Sequence, residues 1–314
     1  MAKYLVTGGA GFIGSNLVRF LLDKGHKVSV IDDFSTGKRE NLDELADRVD
    51  LIEGDVRDRG AADRAAAGCK AIFHQAALGS VPRSVTDPLT SHDVNVNGTI
   101  TVLEAARAAG IRRVIFASSS SAYGDQPASP KGEQMIPMPI SPYAAGKVAC
   151  EAYMQAYSAV FGLETLSLRY FNVFGPRQDP AGAYAAAIPA FVSRLLRRKP
   201  PIVYGDGEQS RDFCYIDNVC EANWLAANAP AKVCNGQPLN IACGRATTVN
   251  QILSRLAELL DIDVKARYSD PRPGDVRHSL ADISRARALI SYEPRIHFDE
   301  GLAKAIDWYK ENLI

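Results

Sequence analysis

Short apolar runs alternate with longer segments of helical periodicity through the first half of the chain. The apolar runs predict strands at Tyr4–Val6, Lys27–Ile31, Val49–Ile52, Ala71–Phe73, Val114–Ala117 and Thr165–Leu168. The segments between them predict helices at Ile13–Asp23, Arg59–Ala67, Val94–Ala109 and Pro142–Phe161. Because strands separated by helices pair in parallel through right-handed crossovers, this pattern predicts an α/β fold with a doubly wound parallel sheet.

The regular alternation fades after about residue 174. Beyond it, prolines and glycines cluster, as in Gly175-Pro176 and Pro200-Pro201, and predict loops, with helices at Val249–Leu260 and Glu300–Glu311. We therefore expect residues 1–174 to form the sheet domain and residues 175–314 to form a smaller, substrate-facing α/β region. Strands and helices of this second region are free to return to the first domain.

Composition narrows the class of protein. The 314 residues are 46% hydrophobic, and 36 Lys and Arg balance 36 Asp and Glu, which argues against nucleic acid as a partner. The six cysteines are scattered without metal-binding spacing, and no apolar run approaches the roughly 18 residues that span a bilayer. We expect a cytoplasmic enzyme with reduced thiols, no metal and no membrane partner.

A glycine-rich turn follows the first predicted strand. Gly8, Gly11 and Gly14 are spaced to form a tight turn that opens a helix and lets the backbone approach a pyrophosphate. The second strand ends in Asp32-Asp33, where a carboxylate accepts hydrogen bonds from ribose hydroxyls and repels a 2′-phosphate. This arrangement predicts a Rossmann-type site for NAD. Lys38 and Arg39 leave NADP open, and the alternative interpretation is a tight turn with a capping aspartate.

Two further segments follow strands at the edge where a parallel sheet receives its ligand. Asp55-Val56 is placed to face the adenine, and the small residues Ala76 and Ala77 after Gln75 allow the cofactor to lie flat. His74 begins this second segment. It is expected to pack or to form hydrogen bonds, because no second metal ligand lies at usable spacing.

Candidate catalytic residues come next along the chain. Four serines, Ser118 to Ser121, follow the predicted strand Val114–Ala117, and Tyr143 and Lys147 are spaced to share one face of a helix. A phenol is a poor base at neutral pH, but a nearby ammonium and a nicotinamide cation both favour the phenolate. A serine at the strand end can hydrogen-bond the substrate oxygen. Tyrosine and lysine at this spacing also occur by accident, so the prediction depends on their combination with the serines and the glycine turn.

With these motifs together, the sequence resembles the extended short-chain dehydrogenase/reductase superfamily, and within it the nucleotide-sugar 4-epimerases, over essentially the whole chain. The shared motifs are Thr7–Gly14, Asp32–Gly37, Ser118–Asp125, Tyr143–Lys147, Arg169–Pro176, Tyr204–Phe213 and Arg272–Asp275. The resemblance implies that Ser119, Tyr143 and Lys147 are catalytic. The expected cofactor-binding residues are Gly8, Gly11, Phe12, Ile13, Gly14, Asp32, Asp33, Phe34, Thr36, Gly37, Asp55, Val56, Gln75, Ala76, Ala77, Tyr143, Lys147, Tyr170 and Val173.

The resemblance also implies a site for a UDP-sugar. Asn172, Arg211 and Arg272 match contacts to the diphosphate, Asp275 matches a uridine ribose contact, and Ser279 falls at the position beside the hexose 2-substituent. The expected substrate-binding residues are Gly79, Ser80, Arg83, Ser119, Ser120, Ser121, Tyr143, Asn172, Arg211, Arg272, Asp275 and Ser279. The alternative is that the two arginines form surface ion pairs with nearby aspartates.

The reaction is inferred from departures within the resembling enzymes. The dehydratases and decarboxylases carry a glutamate just after the catalytic hydroxyl, whereas this chain has Ser120-Ser121. The resemblance therefore implies 4-epimerisation through a 4-keto intermediate. The small Ser279 and the loop at 79–84 favour UDP-N-acetylglucosamine and UDP-N-acetylgalactosamine, with UDP-glucose and UDP-galactose also accepted. The alternatives are a 4,6-dehydratase or decarboxylating synthase and, remotely, a non-catalytic dinucleotide sensor. A homodimer is expected through the helices at Val94–Ala109 and Pro142–Phe161.

Overall fold

A computed structural model describes residues 1–180, 187–263, 265–270 and 276–312. The strands are β1 Lys3–Thr7, β2 Lys27–Asp32, β3 Val49–Glu53, β4 Ala71–His74, β5 Arg113–Ser119, β6 Glu164–Tyr170, β7 Val173–Phe174, β8 Ile202–Tyr204, β9 Ser210–Asp212, β10 Cys214–Tyr215, β11 Asn235–Ile241, β12 Ala246–Thr248, β13 Arg267–Ser269 and β14 His278–Ser279. The α-helices are α1 Phe12–Asp23, α2 Arg59–Ala66, α3 Val81–Thr86, α4 Pro88–His92, α5 Gly98–Ala108, α6 Pro142–Phe161, α7 Ala187–Leu196, α8 Ile216–Ala227, α9 Val249–Leu260, α10 Ser284–Ile290 and α11 Phe298–Asn312.

The centre of the molecule is a seven-stranded parallel sheet in the order β11-β6-β5-β4-β1-β2-β3. This confirms the predicted α/β fold with a doubly wound, Rossmann-type sheet. The direction of winding reverses between β1 and β4, where Thr7 lies beside His74. In such sheets the ligand crevice forms at this reversal, outside the carboxyl ends of the strands.

Apart from its partly exposed edge strand β3, the sheet is buried on both faces, as parallel sheets generally are. Neighbouring residues of one strand point to opposite faces, so Leu5 packs with Ile72 and the helices α2 and α5, while Val6 packs with Val30 and α1. Burying each such side chain contributes about 1.5–3 kcal/mol. These two cores hold the strand ends rigidly in place, and the strand ends carry the candidate site.

The predicted elements of the first half are all present. The helix expected at Val94–Ala109 begins with a π-helical turn, Asp93–Asn97, before it continues as α5. Gly25 and Gly110 follow α1 and α5 with φ of +78° and +69°, the left-handed conformation expected of glycine after a helix C-terminus.

The second half contains elements that the sequence pattern did not predict, among them α8, α10 and the sheet strand β11. The β11 sequence includes Gly236 and Pro238, which are unfavourable in strands, and it becomes a strand by pairing with the edge of β6. Through β11 and through packing of α8 against α1, the chain after residue 174 returns to the central sheet.

A small three-stranded sheet lies in the second half of the chain. Its central strand β9 pairs antiparallel with β12 and parallel with β14. The pairing places Ser279 directly beside Arg211. None of the helices in the described part of the chain is long and apolar enough to cross a membrane.

Candidate active site

The glycine turn between β1 and α1 forms a cradle that side chains would fill. Gly8 has φ +68°, and a Cβ on it would lie 2.7 Å from the Ala76 Cα. A Cβ on Gly14 would lie 2.0 Å from the Gly8 carbonyl oxygen. The N-cap of α1 is Gly11, which has no side chain to occupy the first-turn N–H groups. The cradle therefore fits a dinucleotide diphosphate at a helix N-terminus.

Two adjacent aspartates at the end of β2 have different partners. The buried Asp32 carboxylate accepts hydrogen bonds from the backbone N–H of Ala10 at 2.8 Å and of Phe34 at 2.9 Å. Burial raises the Asp32 pKa, and these two N–H groups oppose the shift. Asp33 accepts from the backbone and hydroxyl of Ser35 at 3.0 and 2.7 Å. Asp32 thus fixes the glycine turn, and both carboxylates keep lone pairs for ribose hydroxyls.

One pocket gathers most of the predicted cofactor residues. The predicted residues that line it are Gly8, Gly11, Asp32, Asp33, Thr36, Gly37, Asp55, Val56, Gln75, Ala76 and Ala77. The pocket is completed by Ile31, Ser35, Gly54, Leu78 and Val94, which were not among the predicted cofactor-binding residues. The other predicted cofactor residues, Phe12, Ile13, Gly14, Phe34, Tyr143, Lys147, Tyr170 and Val173, lie outside this lining.

The floor of the crevice is held by a buried amide network. Asn223 on α8 donates to the Tyr170 hydroxyl at 2.8 Å, and the Gln75 side chain donates to Asn223 at 3.1 Å. Tyr170 also lies 3.2 Å from the Gln75 side-chain oxygen. The sequence reasoning missed Asn223. The available signal was an amide four residues after Val219 and three after Cys220, on an apolar face of α8, because buried polar groups need partners.

His74 is buried beside the crevice, with hydrogen bonds at both ring nitrogens. Its Nδ1 lies 2.7 Å from the Thr7 hydroxyl and its Nε2 lies 3.0 Å from the Thr99 hydroxyl. This agrees with the hydrogen-bonding role predicted from the sequence.

The predicted base and its lysine lie on the first turns of α6. Lys147 donates through Nζ to the Ala117 carbonyl at 2.7 Å, and Nζ lies 5.7 Å from the centre of the Tyr143 ring. Burial lowers the Lys147 pKa to about 8, while Cys150 and Glu151 oppose this shift.

The Tyr143 phenol has a raised pKa. Part of the residue is exposed, but its hydroxyl is desolvated, which raises the pKa, and a hydrogen bond with Ser119 opposes this shift. The direction differs from the lowering expected from the spacing to Lys147. That expectation also relied on the charge of the nicotinamide ring, which the chain itself does not supply.

The serines at and after the end of β5 have different hydrogen-bond partners. The Ser119 hydroxyl accepts hydrogen bonds from the Ser121 backbone N–H at 3.1 Å and from its hydroxyl at 2.9 Å. Ser118 donates instead to Glu151 on α6 at 2.5 Å. Ser120 begins the turn that follows the strand. Of the four serines, Ser119 is the one placed against Tyr143.

A buried ion pair links helix α6 to strand β6. Arg169 on β6 donates from Nε and a terminal nitrogen to the two Glu151 oxygens at 2.8 and 2.6 Å. The sequence reasoning missed Glu151. The signal was its position four residues after Lys147, on the same face of α6.

The loop at residues 79–84, which is expected to face the sugar, is hydrogen-bonded to the catalytic helix α6. Ser80 caps α3 by accepting from the backbone N–H of Arg83 at 3.2 Å, and Gly79 directly precedes it. Ser84, which is buried, accepts from the Tyr143 backbone N–H at 3.0 Å. A change in this loop would therefore reach the first turn of α6.

Two of the predicted diphosphate contacts, Asn172 and Arg211, lie at the small sheet. Asn172 donates to the Asp212 carbonyl at 3.2 Å, and Arg211 donates to the Arg277 carbonyl at 3.0 Å. Asp206, one of the aspartates near the two arginines in sequence, pairs with Arg277 at 2.9 Å. The predicted contacts Arg272 and Asp275 lie outside the described residues.

Comparison with known proteins agrees with this geometry. Residues 4–242 match the NAD dependent epimerase/dehydratase family. The chain is 40% identical over 312 residues to a UDP-glucose 4-epimerase of Mycolicibacterium smegmatis, with 98% of both chains covered.

Two solved structures extend the likeness. A UDP-N-acetylglucosamine 4-epimerase from Methanobrevibacter ruminantium, in complex with UDP-N-acetylmuramic acid, is 40% identical with a TM-score of 0.93 and coverage of 99% of this chain and 98% of that chain. A UDP-glucose 4-epimerase from Thermus thermophilus in complex with NAD is 36% identical with a TM-score of 0.89 and 99% of both chains covered. These findings confirm the predicted family resemblance and NAD as the cofactor.

Proposed function

The chain belongs to the NAD-dependent epimerase/dehydratase family, and we propose that it is a 4-epimerase of UDP-hexoses. The observation that carries the proposal is the meeting of Ser119, Tyr143 and Lys147 at the strand ends beside the glycine cradle. We propose UDP-N-acetylglucosamine and UDP-N-acetylgalactosamine as the main substrate pair, with UDP-glucose and UDP-galactose also accepted.

The proposed mechanism uses three side chains of this protein. Tyr143 as phenolate takes the proton of the sugar 4′-hydroxyl, and the Ser119 hydroxyl hydrogen-bonds the same oxygen. The buried Lys147 is fixed by the Ala117 carbonyl, so its charge stays within one helical turn of the phenol. NAD held by the glycine cradle would supply reversible hydride transfer at C4′, which lets the sugar pass through a 4-keto form that turns in the pocket. Tyr143 then returns the proton, and no net oxidation occurs.

The serines after the catalytic hydroxyl support epimerisation over elimination. Loss of water from the sugar requires an additional acid to protonate the leaving oxygen. Ser120 and Ser121 occupy the positions where such an acid is expected. The Ser121 hydroxyl donates a hydrogen bond to the Ser119 hydroxyl at 2.9 Å. An aliphatic hydroxyl is a far weaker acid than a carboxyl group, so neither serine can replace that acid.

The proposed preference for N-acetylated sugars depends on one small side chain. Ser279 stands beside Arg211 in the strand pairing, so a sugar whose diphosphate is bound by Arg211 would lie next to Ser279. A serine leaves room for an acetamido group. The Methanobrevibacter relative, a UDP-N-acetylglucosamine 4-epimerase, supports this choice.

The deciding experiment is a substrate profile of the purified, NAD-loaded protein without added NAD. We expect UDP-N-acetylglucosamine to yield its 4-epimer, resolved by chromatography, and UDP-glucose to react more slowly. Mass spectrometry follows each product. Loss of water or carbon dioxide would assign the dehydratase or decarboxylase alternative. The proposal would be contradicted if UDP-glucose, UDP-galactose and both N-acetylated forms were all recovered unchanged.

Replacing the base tests the assignment of Tyr143. Tyr143→Phe removes the acidic hydroxyl and should lower kcat by roughly 10²–10⁴-fold, the usual contribution of general acid–base catalysis. The matched control is Tyr153→Phe, because Tyr153 lies exposed on the same helix. Both variants should retain NAD, measured after denaturation of the protein. Undiminished turnover in Tyr143→Phe would exclude the phenol as base.

A further inference from the structure

A buried carboxylate lies at the centre of the small sheet. Asp212 ends β9, the middle strand, and has 0% of its surface exposed. Its Oδ1 accepts from the backbone N–H of Cys243 at 2.9 Å. Its Oδ2 accepts from the N–H of Gly244 at 2.9 Å and of Ala281 at 3.3 Å.

These donors come from both sides of the sheet. Cys243 and Gly244 precede β12 by three and two residues, and Ala281 follows β14 by two residues. Strands β12 and β14 are the two neighbours of β9. The Asp212 carboxylate therefore joins the ends of all three strands through side-chain hydrogen bonds that the strand pairing alone would not make.

The same residue adjoins the predicted substrate contacts. Arg211 precedes Asp212 in β9, and Ser279 pairs with Arg211 from β14. The Asp212 backbone carbonyl accepts the Asn172 side chain at 3.2 Å. Asn172, Arg211 and Ser279 come from parts of the chain far apart in sequence. Asp212 touches or directly adjoins the segments that carry all three.

A carboxylate suits this place better than a neutral side chain. Both of its oxygens are acceptors, so they can receive the three N–H groups, whereas an amide would turn an NH₂ group toward at least one of them. Burial of the group is costly and raises the Asp212 pKa to about 6, and the backbone N–H groups oppose the shift. The three hydrogen bonds from backbone N–H groups offset part of the cost of burying the carboxylate.

We propose that Asp212 is a positioning residue for the substrate, which fixes Arg211, Asn172 and Ser279 in the geometry that receives a nucleoside-diphosphate sugar. The inference rests on the proposed function, because it takes a UDP-sugar as the ligand. Asp212 itself contacts backbone groups and takes no part in proton transfer.

Asp212→Asn tests the inference on NAD-loaded protein. We expect the Kd for UDP, measured by calorimetry, and the KM for the UDP-sugar to rise roughly tenfold, as expected when one buried acceptor becomes a donor. NAD content should be unchanged and kcat should stay within about threefold, since the catalytic residues stand on β5 and α6. The control is Asp58→Asn, because Asp58 also accepts two backbone N–H groups but caps the distant helix α2.

A milder variant covers the case in which Asp212→Asn does not fold. Gly244 has φ +69°, and a Cβ there would have its nearest neighbour at 3.8 Å. Gly244→Ala therefore strains the turn that donates to Asp212 without a steric clash. It should raise the Kd for UDP in the same direction by a smaller factor.

The outcomes separate the inference from the proposed function. Weakened UDP binding in the Asp212 or Gly244 variant, with Asp58→Asn at the wild-type value, supports the inference. UDP affinity unchanged in a folded Asp212→Asn protein, or weakened equally by Asp58→Asn, overturns the inference alone. Failure of the wild-type protein to bind UDP overturns both the inference and the proposed function.

Discussion

Burial sets the charge of His74, the residue at which β4 ends beside the cofactor pocket. Desolvation lowers the His74 pKa to about 3, and the positive charge of Lys147 acts in the same direction. The neutral ring can then bridge Thr7 at the end of β1 and Thr99 on α5. A protonated ring would have to donate at both nitrogens and carry a buried charge near a lysine.

This shift predicts acid-dependent loss of stability. The pKa of folded His74 lies below the usual 6.5, so the unfolded chain takes up the proton first as the pH falls. The contribution of neutral His74 to the free energy of unfolding is complete above about pH 6.5 and is lost progressively toward pH 3. Between pH 7 and pH 5, the free energy of unfolding should fall by about 2 kcal/mol more in the wild type than in His74→Gln.

Urea denaturation at several pH values measures this difference. The control is His92→Gln, because His92 is exposed on α4. Its stability profile should run parallel to that of the wild type. A parallel profile for His74→Gln as well would show that His74 does not cause the acid sensitivity.

For single residues, sequence reasoning predicted proximity where the spacing along the chain is short. Tyr143 and Lys147 share a helix face, so their proximity follows from a four-residue interval. The partners of Ser84 and Asp212 lie 59 and up to 69 residues away in the chain. Such contacts depend on the packing of complete elements, and a pattern along the chain does not contain them.

Helix α6 fixes the catalytic end of strand β5 through three successive turns. Its residues at four-residue intervals contact three consecutive residues of β5: the hydroxyl of Tyr143 meets Ser119, Lys147 binds the Ala117 carbonyl and Glu151 accepts from Ser118. The distance between the proposed base and the serine therefore depends on how α6 docks on β5. The Glu151–Arg169 pair connects the same helix to β6.

Glu151→Gln should destabilise the protein strongly. The substitution leaves the Arg169 charge buried without its counter-ion, a change that costs about 3–5 kcal/mol in other proteins. Chemical denaturation measures the free energy of unfolding. The control is Glu104→Gln, whose partner Arg107 is more exposed, so its loss should stay below about 1 kcal/mol. Equal small losses in both variants would contradict the importance assigned to the buried pair.

The two halves of the chain differ in how well the sequence predicted their elements. Strands β1 to β6 have clear apolar runs, and each is followed or preceded by a helix of regular period. The strand β11 and the helix α8 lack such signals. Both are stabilised by tertiary contact, β11 with β6 and α8 with α1. Local patterns cannot predict elements whose stability comes from a distant partner.

At the scale of the whole molecule, α5 and α6 present an outer surface with exposed apolar side chains. Val160 and Phe161, at the end of α6, are 71% and 46% exposed. The Arg107 guanidinium of α5 lies 3.8 Å from the centre of the Phe161 ring, so the two helices share this surface. Large apolar residues exposed together are typical of association sites.

We predict a homodimer that packs through this surface. Light scattering after size exclusion should give twice the chain mass of 34.0 kDa. Val160→Asp would place a charge in each half of a symmetric interface and should shift the mass to that of one chain. The control is Ile262→Asp, because Ile262 is also exposed but follows α9 in the second half of the chain.

Dimerisation and catalysis can be separated because Val160 and Tyr143 lie at opposite ends of α6. If the interface also holds α6 against β5, the monomeric Val160→Asp protein should keep its NAD but turn over more slowly, since the distance from Tyr143 to Ser119 depends on that docking. Full activity in the monomer would show that the helix is held by contacts within one chain. A wild-type mass of 34.0 kDa, or an unchanged dimer in Val160→Asp, would contradict the proposed interface.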